Sequence, residues 1–229
     1  MTILIDTPST SEIALDPIVE NDWVRASWER FTALVNQPEF SQAKCYYYQS
    51  EMRIETMGVG ANHAIDNGLL YAAIVLYCAL TGLTSRGLIN ASYRKSGYQE
   101  AQPDISFYVG SAVQSIPQSN ELIDLDQTPA PNLAIEIAAT SLSDDLGKKR
   151  LLYEELGIQE YWVVDVEQSV ILAFEVRYRG SDRIQTSKVL PNLELSILEQ
   201  ALRDRKTQDD SQIMQTLLQQ FSMLPKSVA

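Results

Sequence analysis

The sequence of 229 residues contains a single histidine, His63, and this scarcity excludes several kinds of active site. A zinc centre with several histidine ligands is excluded, and a Ser-His-Asp triad could use no other base. No serine stands in a G-x-S-x-G pattern, and the ten glycines are scattered, so a phosphate-binding glycine loop is also missing. A hydrolase of small molecules would therefore lack a nucleophile–base pair.

Basic residues are few as well: 18 lysines and arginines stand against 30 aspartates and glutamates, for a formal net charge of −12. Contacts with phosphates need clustered bases, so this composition is unlike that of a protein coated by nucleic acid. An enzyme with a local basic rim is compatible with it, because carboxylates that hold a metal add to the acid count. Arg86, Arg94, Lys95, Lys148 and Arg150 are the candidates for such a rim.

Cysteines and long apolar segments are also scarce. Cys45 and Cys78 both lie among apolar residues, which predicts buried free thiols and a reducing compartment. The start of the chain shows no basic-then-apolar leader pattern, and the longest apolar run, Leu69 to Leu80, is too short to span a bilayer. We therefore expect a cytoplasmic protein without a membrane segment.

The length and the hydrophobic content of 45% predict one domain with tails. We expect an N-terminal arm over residues 1–20, a folded domain over 21–200, and a charged linker with a C-terminal helix over 201–229. A helix expected from Asn62 to Leu80 is apolar over most of its circumference. Such a helix must be well buried or lie in a subunit interface, so we expect a homodimer.

Two apolar strands each carry an acid. Asp104 follows a proline and begins one strand, and Glu136 lies in the middle of the next long apolar strand. Strand alternation places Glu136 opposite the large apolar side chains, beside Ala134 and Ala138. If the strands are neighbours, the two carboxylates can converge on one hard divalent ion. The alternative is a salt-bridged Glu136 and an Asp104 that caps a turn.

A helix expected from Asp144 to Leu156 follows the strand of Glu136. Asp145, Lys149 and Tyr153 are four residues apart and share one face of it. In isolation they would be a surface ion pair and an exposed tyrosine. Because the connection from the strand is short, the lysine can instead return over the end of that strand.

These features together resemble the PD-(D/E)XK nuclease superfamily and, more narrowly, its Uma-type branch of restriction-endonuclease-like proteins. Four segments carry the resemblance, which extends over residues 45–198: Gln102–Ser106, Asn132–Ile137, Asp145–Tyr153 and Glu160–Asp165. The resemblance implies an α/β fold with a restriction-endonuclease-like core, in which helices flank a mixed β-sheet.

The resemblance also implies a metal-dependent endonuclease that hydrolyses DNA. Asp104 and Glu136 would hold one Mg²⁺ or Mn²⁺, helped by the backbone carbonyl of Ile137. Lys149 would be the catalytic lysine, displaced from the usual place two residues after the second acid, where this chain has Ala138.

Further roles follow from the same resemblance. Asp145 would hold the catalytic lysine, and His63 or Tyr153 would touch the phosphate or a water; His63 could instead be satisfied by the backbone at the helix start. Because the chain has no recognisable DNA-reading module and few clustered bases, we expect any DNA binding to be weak and non-specific. The family's Ser-Pro-Ser loop reads Ala139-Thr140-Ser141 here. That change and the acidic composition favour the alternative function, a catalytically inactive dimeric binding module on the same scaffold.

Overall fold

The structure, a computed structural model, describes residues 20–56, 60–178 and 180–226. The expected N-terminal arm lies outside the described residues except for Glu20, and so does Gly58, which was expected to break the chain.

Strands and helices alternate through the described residues. The strands are β1 Val24–Arg25, β2 Lys44–Tyr48, β3 Glu51–Glu55, β4 Ser85–Ile89, β5 Tyr93–Lys95, β6 Gln99–Ala101, β7 Ile105–Val109, β8 Ile123–Asp124, β9 Leu133–Ala138, β10 Glu160–Asp165, β11 Val170–Arg177 and β12 Gly180–Ile184. The helices are α1 Trp28–Val35, α2 Ala61–Thr81, α3 Leu142–Leu146, α4 Lys148–Leu156, α5 Leu195–Asp204 and α6 Asp210–Ser222. Two short 3₁₀ segments span Pro38–Phe40 and Gly110–Ser115.

The strands form two six-stranded sheets. The first sheet has the order β1-β3-β2-β6-β5-β8, and the second has the order β12-β11-β10-β9-β7-β4. Each is mixed, because β5 and β8 run parallel in the first and β9 and β10 run parallel in the second, while the other pairs are antiparallel. The expected mixed sheet flanked by helices is confirmed, but the sequence did not indicate that the strands divide into two sheets.

The β2–β3 hairpin shows how the first sheet buries both of its faces. The turn residues Gln49 and Ser50 adopt left-handed backbone conformations, with φ of 50° and 61°. Alternation along β2 sends Tyr46 into the cluster beside α4 and sends Tyr47 into the cluster beneath α1. The hairpin therefore lies between helix α1 and the region where the strands of Asp104 and Glu136 meet.

Helix α2 is the central helix of the main hydrophobic core. It ends at Gly82, whose φ of 76° is left-handed, as the sequence predicted. Its buried face packs against the second sheet, and α5 and α6 cover it further, with the rings of Tyr77 and Phe221 5.5 Å apart. By length and composition α2 could also cross a membrane, but a buried core helix meets the same criterion.

The covering of α2 bears on two expectations. The C-terminal helix α6 contributes to the same core as the second sheet, and Arg205 pairs with the buried Asp66 of α2. Much of the apolar surface that motivated a homodimer is therefore covered by the chain itself, although Ile65 and Val75 stay exposed. The homodimer and the expected domain limits remain predictions.

Two elements differ from the expectation. The residue pattern from Leu88 to Tyr98 predicts a single strand, but the chain turns at Asn90, whose φ is 53°, and forms β4 and β5 in different sheets. A single helix was expected from Asp144 to Leu156, but it is interrupted at Gly147. A Cβ atom there would lie 2.8 Å from the backbone oxygen of Ser143, so only glycine fits this break.

Candidate active site

Asp104 lies where the chain leaves the first sheet and enters the second. It follows β6 by a short connection and directly precedes β7. Glu136 lies in β9, and β7 and β9 are antiparallel neighbours, with Ile105 opposite Ile135. Both acids are buried, at 3% and 2% exposure. The two carboxylates therefore come from neighbouring strands, which was the condition for their convergence.

Asp104 is held from three directions. Its Oδ1 accepts a hydrogen bond from Nζ of Lys44 at 2.5 Å, and its Oδ2 accepts one from the backbone N–H of Ile137 at 2.7 Å. Nε2 of His63 lies 3.3 Å from the same Oδ2. Burial raises the pKa of Asp104, but the hydrogen bond from His63 and the charge of Lys44 outweigh burial and bring this pKa below its ordinary value. Asp104 is therefore a carboxylate.

Glu136 is the more deeply enclosed acid. Its Oε1 accepts hydrogen bonds from the hydroxyls of Tyr153 at 2.7 Å and Tyr46 at 3.2 Å, and its Oε2 lies 3.9 Å from Nζ of Lys44. Burial raises the pKa of Glu136 to about 8, although the charges of Lys149 and Lys44 act in the opposite direction. Burial and the charge of Glu136 also raise the pKa of both tyrosines, so their hydroxyls keep their protons and donate.

The strand face of Glu136 is the one that alternation predicted. Ala134 and Ala138 lie in the buried cluster beside α4, and Ile135 and Ile137 lie in the opposite cluster around α2. The carboxylate reaches α4 on the alanine side, where small neighbours leave room for it.

Lys44 is a residue of the site that the sequence analysis missed. It is the first residue of β2 and pairs across the hairpin with Glu55, the last residue of β3. Its ammonium contacts both Asp104 and Glu136. Alternation along β2 places Lys44 on the same face as the buried Tyr46. A lysine two residues before a buried tyrosine was the only signal in the sequence, and it does not reveal a partner in another sheet.

Lys149 is almost completely buried, and its predicted partner is confirmed. The ammonium lies 3.0 Å from a carboxylate oxygen of Asp145 and 3.0 Å from one of Glu55, and 4.3 Å from the ring centroid of Tyr46. Burial lowers the pKa of Lys149, but nearby carboxylates, Glu136 foremost, outweigh burial and raise it, so the ammonium stays charged. Within the described residues Lys149 makes no direct ion pair with Glu136.

Asp145 connects the altered loop to this lysine. Its Oδ2 accepts a hydrogen bond from Oγ of Ser141 at 2.6 Å, and its backbone oxygen accepts one from Tyr161 at 3.0 Å. Burial raises the pKa of Asp145, although the charge of Lys149 opposes the effect. The last residue of the Ala139-Thr140-Ser141 segment therefore still supports the helix beside the site.

His63 lies in the first turn of α2, as expected. Its Nε2 faces Asp104, and its Nδ1 is buried without a hydrogen-bond partner among the residues that the structure describes. These contacts favour a side chain directed at the site over one that the backbone satisfies.

The five basic residues proposed for a rim do not form a continuous free cluster in the described structure. Three of them are paired with carboxylates: Arg94 with Glu100, Lys148 with Glu51 and Arg150 with Glu154. The exposed Arg86 and Lys95 belong to different sheets. Much of the positive charge is therefore neutralised within the chain.

Glu160, from the Glu-Tyr-Trp segment of the resemblance, has a structural role. It is fully buried, its Oε1 accepts from Nε1 of Trp162 at 2.6 Å, and its Oε2 accepts from the backbone N–H groups of Lys188 and Val189, both at 2.9 Å. Oγ of Ser187 lies 3.1 Å from the same oxygen. A strand was expected from Ile184 to Leu190, but this carboxylate holds the segment against the second sheet as a loop instead.

The donor set of Asp104 and Glu136 fits a hard divalent cation. The described residues contain no group of three or more His, Cys, Asp or Glu residues that could hold a metal. Two carboxylates are nevertheless a sufficient protein contribution for Mg²⁺, which usually keeps several waters and adds substrate phosphates. The ammonium of Lys44 lies 2.5 Å from Asp104 and 3.9 Å from Glu136, so a single positive charge faces both acids.

A mixed sheet with converging acids on neighbouring strands, and a buried lysine on the helix that follows, defines a restriction-endonuclease-like nuclease fold. A solved structure from Anabaena variabilis ATCC 29413, described as "a putative nuclease belonging to DUF820", is similar to this chain with a TM-score of 0.54 and 15% sequence identity. The likeness covers 77% of this chain and 98% of that one. At this identity it supports the fold alone.

The chain belongs to the Uma2 family, which is described as "Putative restriction endonuclease". The family model matches residues 28–209. Both the resemblance and the fold class expected from the sequence are thereby confirmed. No curated protein matches the chain.

Proposed function

We propose that this protein is an endonuclease that uses Mg²⁺ or Mn²⁺ to hydrolyse phosphodiester bonds of DNA. The observation that carries the proposal is that Asp104 and Glu136, two buried acids on neighbouring strands, both pair with the ammonium of Lys44. Membership of a family described as "Putative restriction endonuclease" supports the same class of activity.

Asp104 and Glu136 would hold the ion, with the carbonyl of Ile137 as a third ligand. The backbone N–H of Ile137 already meets Asp104, which supports a position of this residue beside the ion. The ion would supply positive charge that polarises the scissile phosphate and lowers the pKa of a water. The hydroxyls of Tyr46 and Tyr153 orient Glu136 by donating to its Oε1.

Lys149 would act as the catalytic lysine by offsetting negative charge that develops on the phosphate. Its ammonium is charged and kept in place by Asp145 and Glu55. His63 would donate from Nε2 toward Asp104 or the phosphate, and its unpartnered Nδ1 supports a role at the site.

A second candidate function is a catalytically inactive binding module on the same scaffold. One observation favours it: both acids are buried, and Asp104 is already paired with Lys44. A protein of this kind would bind no divalent ion and would not cut DNA.

The experiment that separates the two functions combines calorimetric titration with Mn²⁺ and nicking of supercoiled plasmid DNA. We expect wild type to bind Mn²⁺ and to nick DNA only without EDTA, and Asp104→Asn and Glu136→Gln to lose at least about tenfold in metal affinity. Asp182→Asn is the control, because Asp182 is exposed and pairs only on the surface with Arg177. Equal Mn²⁺ affinity in wild type and Asp104→Asn would contradict the proposed function.

A further inference from the structure

We propose that Lys44 occupies the cation position of the site in the metal-free protein, so that a divalent ion binds only by displacing its ammonium. The proposal rests on the proposed function and adds a residue to it. Its basis is the direct contact of one ammonium with both acidic side chains, Asp104 and Glu136.

Lys44 places a positive charge against one oxygen of each acid. Its Nζ lies 2.5 Å from Oδ1 of Asp104 and 3.9 Å from Oε2 of Glu136. These two oxygens have no other partner among the described contacts, whereas Oδ2 of Asp104 and Oε1 of Glu136 are engaged by a backbone N–H, a histidine and two tyrosines. The oxygens left over for a metal are therefore the two that face Lys44.

Lys44 also lies on the solvent side of the acids. Its side chain is 17% exposed, whereas those of Asp104 and Glu136 are 4% and 3% exposed. An ion that arrives from the side of Lys44 meets the ammonium before it meets the carboxylates. Because the backbone of Lys44 is paired within the hairpin, its flexible four-carbon side chain must move if the ion is to enter.

Lys149 cannot serve as this internal cation. Its ammonium is held between Glu55 and Asp145 at 3.0 Å from each, and its side chain is only 2% exposed. The two lysines of the site therefore have different partners. Lys149 pairs with Glu55 and Asp145, whereas Lys44 pairs with Asp104 and Glu136, the two acids proposed to hold the metal.

The proposal predicts an unusual effect on metal affinity. Removal of a lysine that only supported the fold would weaken metal binding or leave it unchanged. Removal of a competing ammonium should strengthen metal binding, because an ammonium and a metal ion beside the same two carboxylates repel each other strongly in a partly buried site. We expect Lys44→Met to bind Mn²⁺ about tenfold or more tightly than wild type, a modest share of that repulsion.

The test is calorimetric titration of Mn²⁺ into wild type, Lys44→Met, Lys44→Gln and Lys148→Met under identical conditions. Lys44→Gln keeps a polar group beside Asp104. It replaces Lys44→Met in the titration if Lys44→Met does not fold. Lys148→Met is the matched control, because it removes the same charge from a partly exposed pair with Glu51, away from Asp104 and Glu136. Its affinity should equal that of wild type. A second measurement, thermal unfolding with and without Mn²⁺, should show a larger stabilisation by the ion in both Lys44 variants.

The outcomes separate this inference from the proposed function. Tighter binding in the Lys44 variants than in wild type supports it. Equal or weaker binding in those variants overturns it, and the proposed function stands if wild type binds Mn²⁺. Binding in the variants with none in wild type supports the inference and counts against the nuclease. No binding in any protein overturns both.

Discussion

The ammonium of Lys149 lies 4.3 Å from the centroid of the Tyr46 ring, and the hydroxyl of Tyr46 donates to Glu136. This arrangement joins the helix lysine to the acid of β9 through a side chain of β2. Lys149 therefore acts on Glu136 by its charge and through the tyrosine that it supports. The relationship shapes several expectations about the site.

Loss of Lys149 should destabilise the protein. Lys149→Met leaves the buried Asp145 without its cation and leaves Glu55 with Arg53 alone, which we expect to cost about 3–5 kcal/mol in the free energy of unfolding. Lys148→Met should cost less than about 1 kcal/mol, since its pair with Glu51 is partly exposed. Urea denaturation measures both. Adding Asp145→Asn to Lys149→Met should recover part of the stability, because it removes the buried charge that the lysine neutralised. A loss below about 1 kcal/mol in Lys149→Met would contradict the prediction.

The same variant tests the catalytic role of Lys149. We expect Lys149→Met to retain most of its Mn²⁺ affinity and to lose most plasmid nicking, because the lysine does not contact Asp104 or Glu136 directly in the described structure. Adding Ala138→Lys should restore part of the activity, since Ala138 lies on the strand face of Glu136. The recovery should be partial because Ala138 is buried. Full nicking by Lys149→Met would end the assignment.

Glu136 should make stability depend on pH. In the metal-free protein its pKa is raised from 4.5 to about 8, so the folded state binds the proton more tightly than the unfolded state. This contribution to stability is fully present below about pH 4.5 and is lost as pH rises through the folded pKa. The free energy of unfolding of wild type, measured in EDTA, should therefore fall relative to Glu136→Gln between pH 5 and pH 9.

A control variant and a contrary outcome complete the pH experiment. Glu167→Gln, a substitution at an exposed glutamate, should follow wild type at each pH. A constant difference between wild type and Glu136→Gln across the range would show that Glu136 ionises alike in the folded and unfolded states.

Glu160 should matter for folding and not for metal binding. Glu160→Ala leaves the indole N–H of Trp162 and the backbone N–H groups of Lys188 and Val189 without their acceptor, at a cost of about 3 kcal/mol or more. Glu175→Ala, in the neighbouring position on β11, should cost less than about 1 kcal/mol. Denaturant titration gives both values. Weakened Mn²⁺ affinity in folded Glu160→Ala would contradict the structural role.

DNA binding should be weak and salt-sensitive, because most rim bases are paired within the chain. For two or three phosphate contacts, affinity should fall by about 10- to 40-fold between 50 and 200 mM salt. Fluorescence anisotropy with two unrelated duplexes measures this, and both should bind alike. Tight binding to one duplex that persists at high salt would refute the prediction.

Local patterns in the sequence were sufficient for the elements that carry the two acids. Alternation in β9 set the face of Glu136, and the apolar strand after Asp104 set its place at the start of β7. The α2 helix was expected from its local apolar pattern, and Gly82 and the Gln49-Ser50 corner are local signals for the end of that helix and for the β2–β3 turn. Alternation in a strand and the apolar stripe of a helix repeat over two to four residues. A short stretch of the chain therefore contains the whole signal.

The tertiary structure decided which charged groups meet. Lys44 and Glu55 belong to the first sheet, Glu136 to the second and Lys149 to helix α4. Only the packing of these elements places Lys44 against Glu136 and Glu55 against Lys149. Alternation assigns a lysine to a face but says nothing about what lies opposite that face. The cation position between Asp104 and Glu136 therefore depends on long-range packing, which no local period in the sequence encodes.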